Sequence, residues 1–79
     1  MISVFPNPVS NNLIVELSDK WIDNYSIQIY NVRGAKVSEH EYSNSNSQTI
    51  DVAGFPKGIY FIKVVSDNLE IKTAKFIIQ

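Results

Sequence analysis

The 79-residue chain is predicted to be all-β, an immunoglobulin-like antiparallel β-sandwich of six to seven short strands. Three observations predict it. Apolar and polar residues alternate over short runs instead of recurring at helical spacing. Clusters of Gly, Pro, Asn and Ser break those runs at intervals of roughly 8 to 12 residues. The β-branched and aromatic residues concentrate within the runs, where a pleated, half-buried surface suits them. A small barrel is the competing closure of the same strands.

Taken in order, the chain opens on "VFPNP", in which Pro6 and Pro8 clasp Asn7. Each proline fixes its φ and lacks an amide donor, and each pushes its predecessor toward extended geometry, so helix is excluded. The expectation is a stiff, extended lead-in at a sheet edge, guarded from stray pairing. "LIVEL" places Leu13, Val15 and Leu17 on one face, and "YSIQIYN" does the same with Tyr25, Ile27 and Ile29. Between them "SDKWIDN" reads as a loop plugged by Trp21 and Ile22. "NVRG" follows, with Gly34 free to take positive φ in a tight turn. "AKVSEHEY" is then a half-solvated strand.

Beyond the polar "SNSNS" connection, "QTIDV" is a short strand carrying Ile50 and Val52 inward. "AGFPKG" is a compact turn anchored by Phe55, with Gly58 expected at positive φ. "IYFIKVV", the most apolar stretch, is expected to be a central strand buried on both faces. "SDN" turns the chain, and "LEIKTAKFIIQ" pairs back. In that last strand Ala74, Phe76 and Ile78 face the core, which turns Thr73, Lys75, Ile77 and Gln79 outward. An edge strand of this kind accepts a partner strand, with Lys75 and Ile77 supplying selectivity, unless it is itself covered.

Length restricts the chain to one domain over residues 1–79, because so short a polypeptide buries only about 60% of its unfolded surface. With no cysteine, it has no disulfide framework and no thiolate metal site. A formal net charge of -1 leaves no electrostatic footprint for nucleic acid. No apolar run reaches the roughly 18 residues of a membrane span, so no direct membrane insertion is expected. His40 stands alone between Glu39 and Glu41, without a nucleophile or further ligands. No catalytic residue, metal or cofactor is expected, and the chain is expected to be a monomer and not an enzyme.

Four pieces occur in one order: "FPNPVSNNLIVEL", "IQIYNVRGAKV", "IDVAGFPKGIYFIKV" and "KTAKFIIQ". Together they resemble the type A C-terminal sorting domain of the type IX secretion system (the Por secretion system) of Bacteroidetes, and the resemblance covers essentially the whole chain. It implies that Pro6, Asn7 and Pro8 form the opening motif, Gly34 and Lys36 the glycine-lysine turn, Gly58 and Tyr60 the Gly-x-Tyr strand, and Lys75 the lysine of the last strand. It further implies a C-terminal address fused behind an N-terminal cargo domain. Such an address is bound by the outer-membrane translocon and its shuttle protein, exported to the cell surface or medium, and commonly removed by a cell-surface sortase. An extracellular adhesion or carbohydrate-binding sandwich is the alternative, with Tyr30, Tyr42, Tyr60 and Trp21 as a sugar platform.

Overall fold

The computed structural model describes residues 2–18, 24–43, 45–66 and 71–79. These hold seven strands, β1 (Ile2–Phe5), β2 (Asn12–Leu17), β3 (Asn24–Asn31), β4 (Lys36–Ser43), β5 (Ser47–Asp51), β6 (Gly58–Ser66) and β7 (Ile71–Ile78), and no helix among the described residues. One sheet has the order β1-β2-β5 and the other β4-β3-β6-β7, and all strand pairings are antiparallel. The chain changes sheet between β2 and β3, between β4 and β5, and between β5 and β6, the Greek-key path of an immunoglobulin-like sandwich. Two open sheets face each other, and the barrel alternative is not what forms.

The alternation read from the sequence is what builds the core. Leu13, Val15 and Leu17 of β2 meet Tyr25, Ile27 and Ile29 of β3, Tyr60, Ile62 and Val64 of β6, and Phe76 and Ile78 of β7. Ile50, Val52 and Val9 fill the remaining space, and no polar or charged residue is buried among the described residues. Because a one-residue slip would turn each set of apolar side chains to solvent, this burial also fixes register. Phe55 packs against the cluster as expected of a turn anchor.

Two expectations need correction. β6 is an inner strand of its sheet, yet it is not buried on both faces, since Phe61 remains 44% exposed. In a two-layer sandwich only one face of each sheet meets the other layer, so even the most apolar strand keeps a solvent face. The Pro6–Pro8 segment, in turn, is not the lead-in, because β1 precedes it and pairs with β2 from Ile2↔Leu17 to Phe5↔Ile14. The motif is an exposed corner between β1 and β2, with both its X-Pro peptide bonds cis. The plug residues Trp21 and Ile22 and the turn at Asp67 and Asn68 lie outside the described residues.

Candidate functional site

The Pro6–Pro8 corner redirects the chain from one sheet to the other. Before it, β1 pairs with β2; after it, Val9 makes a parallel bridge to Ile78 of β7. The Val9 amide donates to the Ile77 carbonyl at 2.8 Å, and the Gln79 amide donates to the Val9 carbonyl at 2.8 Å. Neither proline can donate to such a ladder, and the Asn7 side chain continues it. Its Oδ1 accepts from the Ile77 amide at 2.9 Å, while Nδ2 reaches the Lys75 carbonyl at 3.4 Å. β7 is therefore the outermost strand of its sheet, as expected, but from Lys75 to Gln79 its outward backbone groups are already occupied by Asn7 and Val9. An added strand could pair there only by displacing residues 7–9.

The glycine-lysine turn joins β3 to β4. Gly34 has φ 84°, the positive value expected of it. The Asn31 side chain organises the turn, Oδ1 accepting from the Arg33 and Ala35 amides at 2.9 and 3.1 Å. Lys36 follows at the surface and pairs with Glu39, Nζ to Oε1 2.7 Å. That hydrogen bond, with the attraction of the opposite charge, holds the Glu39 carboxyl below its ordinary value of 4.5 and raises the Lys36 ammonium above its own.

Gly58 opens β6 at φ 150°, again positive. Tyr60 is only 5% exposed, its ring stacked between Phe55 and Phe76 at centroid distances of 6.0 and 5.7 Å. The Tyr60 hydroxyl turns back to donate to the Pro56 carbonyl at 2.6 Å, the tyrosine-corner device of such sandwiches. Tyr60 thus serves the core and is out of a partner's reach. Lys75 and Ile77 do point outward.

Register brings these separate motifs to one end of the four-stranded sheet. Asn31 is opposite Tyr60, and Tyr60 is opposite Phe76, while Gly58 is opposite Ile78. Sequence reasoning named Lys75 and Ile77 on this surface but missed their neighbours. Ile59 is opposite Ile77, and Phe61 is opposite both Lys75 and Tyr30, with Lys63 Nζ 5.5 Å from the centre of the Tyr30 ring. The core period at Tyr60, Ile62 and Val64 was the signal, since it forces residues 59 and 61 to the opposite face. Asn31 and Asn7 were missed as turn and edge organisers because a side-chain amide that replaces a backbone partner leaves no periodic trace.

Elsewhere among the described residues the side chains do not converge on chemistry. His40 is exposed on β4, its ring 6.3 Å from that of Tyr42. Among the described residues no group of His, Cys, Asp or Glu is placed to hold a metal ion. An open groove of about 570 Å³ lies at the far end of the sheet between β3, β4 and β6, floored by Tyr25 and Tyr42. Burial, and after it the neighbouring Tyr25, pushes the Tyr42 phenol above its ordinary value. Tyr42 at that groove, Tyr30 on the outer face and Tyr60 in the core share no platform, and Trp21 falls outside the described residues.

The layers, the strand order and the tyrosine corner define an immunoglobulin-like β-sandwich domain. A solved structure bears this out: a DUF3244 family protein with an immunoglobulin-like β-sandwich fold from Bacteroides vulgatus superposes with a TM-score of 0.80 at 22% identity, over 99% of this chain and 84% of that one. The family is more specific. Residues 3–79 match the model of the secretion system C-terminal sorting domain, and the chain belongs to that family, the sorting domain of type IX secretion. The chain is also 28% identical over 78 residues to an endo-acting ulvan lyase of Formosa agariphila, covering 99% of this chain and 15% of that protein. It thus spans a small part of the relative's length. Family membership implies export to the cell surface or extracellular space.

Proposed function

We propose that this domain is the address of a cargo protein fused before it, that it acts by being bound, and that its targets are the outer-membrane type IX translocon and the shuttle protein serving it. A cell-surface sortase then removes it from the cargo. The observation that carries the reading is the family match over residues 3–79, with its motif residues gathered at one end of one sheet. The far greater length of the ulvan lyase relative supports a fused cargo. Pro6, Asn7, Pro8, Gly34, Gly58 and Tyr60 build the fold that is recognised, whereas Lys75 and Ile77 are offered to the partner.

The test fuses the 79 residues behind a fluorescent protein that carries an ordinary signal peptide, in a host with an intact type IX system and in one lacking its translocon. Fluorescence reaches the medium or cell surface only in the intact host. Retention in the periplasm of both hosts, or release from both, rejects the reading.

A further inference from the structure

We propose that the outer face of the four-stranded sheet, centred on Ile59, Phe61 and Ile77 and flanked by Lys63 and Lys75, docks a partner surface that presents aliphatic or aromatic groups bordered by carboxylates. The proposal rests on the sorting reading for its choice of probe and deepens it by assigning the surface and the partner's chemistry.

Three features carry it. The first is contiguity. Ile59 and Ile77 are direct cross-strand partners, and Phe61 lies between Tyr30 and Lys75 in the next outward-facing row. Direct partners are about 4.5–5.5 Å apart at Cβ and diagonal neighbours in adjoining rows about 7–8 Å, within reach of aromatic and long side chains, so the three form one patch. Ile59, Phe61 and Ile77 are 42%, 44% and 39% exposed, and a contiguous apolar cluster on a solvent face marks an interaction surface where scattered single residues do not. The second is contrast with the other sheet. The outward positions of β2 and β5 are Asn12, Ile14, Glu16, Ser47, Thr49 and Asp51, and β1 adds Ser3 and Phe5, so the apolar part of that face is the Phe5–Ile14 pair amid polar and acidic residues, with no cationic side chain on those strands.

The third feature is charge. On the patch's own face Glu39 is neutralised by Lys36 and also accepts from the Gln28 side chain at 3.2 Å. Glu41 lies at the far end, two rows from Phe61, in the row of Ser26. Lys63 sits over the Tyr30 ring, and Lys75 has no ion pair among the described residues. With Glu39 paired, among the described residues of this face only Glu41 opposes Lys63 and Lys75, and it stands at the far end, so the border of the patch is net positive, which selects carboxylates in the partner. Because the β7 edge from Lys75 to Gln79 is closed by Asn7 and Val9, recognition here proceeds through side chains on the face and not through an added strand.

The experiment titrates the isotope-labelled 79-residue chain with the purified shuttle protein of a type IX host, at low and high salt, and follows backbone amide signals. The expected result is that the amides of Ile59, Phe61, Lys63, Lys75 and Ile77 shift or broaden, and that high salt weakens binding by screening. Two variants read the two halves of the surface. Lys63→Glu with Lys75→Glu, and Ile59→Thr with Phe61→Thr, each weaken binding at least tenfold, while Thr49→Glu on the opposite sheet binds as the parent does. Perturbation confined to other surfaces, or full-strength binding by the charge-reversed variant, overturns the proposal. So does sedimentation showing a dimer that protects these same amides, which makes a second copy the occupant. Export of the parent fusion alongside an unperturbed face rejects the docking surface alone. A footprint on the face alongside a parent fusion that is not exported rejects the sorting reading alone.

Discussion

Replacing Asn7 by Ala removes one side chain that stands in for a strand. The Ile77 amide loses its acceptor at 2.9 Å, while the contact to the Lys75 carbonyl, at 3.4 Å, is long enough to add little. A hydrogen bond of this kind contributes a net ~0.5–1.5 kcal/mol. Because the site is exposed, water takes over part of the lost bond, and the expected cost is about 0.5–1 kcal/mol. For a domain of this size each kcal/mol moves the melting temperature by roughly 4–8 °C, so the expected fall is about 2–8 °C. The two bonds made by Val9 persist, which keeps the strand docked and confines the damage. Thermal unfolding followed by circular dichroism gives the shift, and amide hydrogen exchange localises it, with Ile77 exchanging faster and Gln79 nearly unchanged. A melting curve superimposable on the parent's, with Ile77 equally protected, would refute the account of Asn7 as an edge cap.

Phe76→Ala empties the centre of the core and should cost about 3–5 kcal/mol, a large share of the ~4–12 kcal/mol expected of a domain this small; a variant still folded at 60 °C would contradict that. At Gly58 a Cβ meets nothing within 4 Å, so Gly58→Ala tests backbone strain alone, and a loss of about 1–3 kcal/mol is expected in chemical denaturation. Equal midpoints for the two proteins would mean that φ is not what selects glycine there. Tyr60→Phe keeps the stacking and removes the bond to Pro56, for a loss of about 1 kcal/mol in the same assay, and no loss would strip the tyrosine corner of its role. The Glu39 carboxyl should titrate below 4.5 by carbon-detected magnetic resonance and move upward in Lys36→Met. Since its value is lowered in the folded chain, the pair's stabilisation is present above the unfolded value and lost as pH falls through the folded one. An unmoved midpoint in the variant would remove Lys36 as the cause.

Period-two alternation is strong evidence when one face is apolar and the other polar, and this is why β2, β3, β5 and β7 and most of the core were legible in the sequence. β6 misled because its outward positions are apolar as well. A run such as Ile59–Val65 cannot be told from a strand buried twice over until the number of layers is known. β1 was missed because Ile2–Phe5 is a four-residue strand, too short for alternation to register, and two prolines directly after it drew the reading toward a stiff lead-in. Of the site, Gly34 and Gly58 were legible from turn chemistry. The meeting of residues 7–9 with 75–79 was not, since no local pattern encodes a contact between the first and last tenths of a chain.

That contact has a consequence for folding. The Asn7 cap and its Ile77 partner are 70 positions apart, and two core residues, Phe76 and Ile78, lie within four positions of Gln79. A nascent or truncated chain lacking this last stretch leaves Val9 unpartnered and the centre of the sandwich hollow, and the entropy of closing so long a loop is recovered only when both ends are present. Docking of β7 therefore completes the fold: only a chain that includes Lys75–Gln79 fills the core with Phe76 and Ile78 and sets Lys75 and Ile77 on a formed surface.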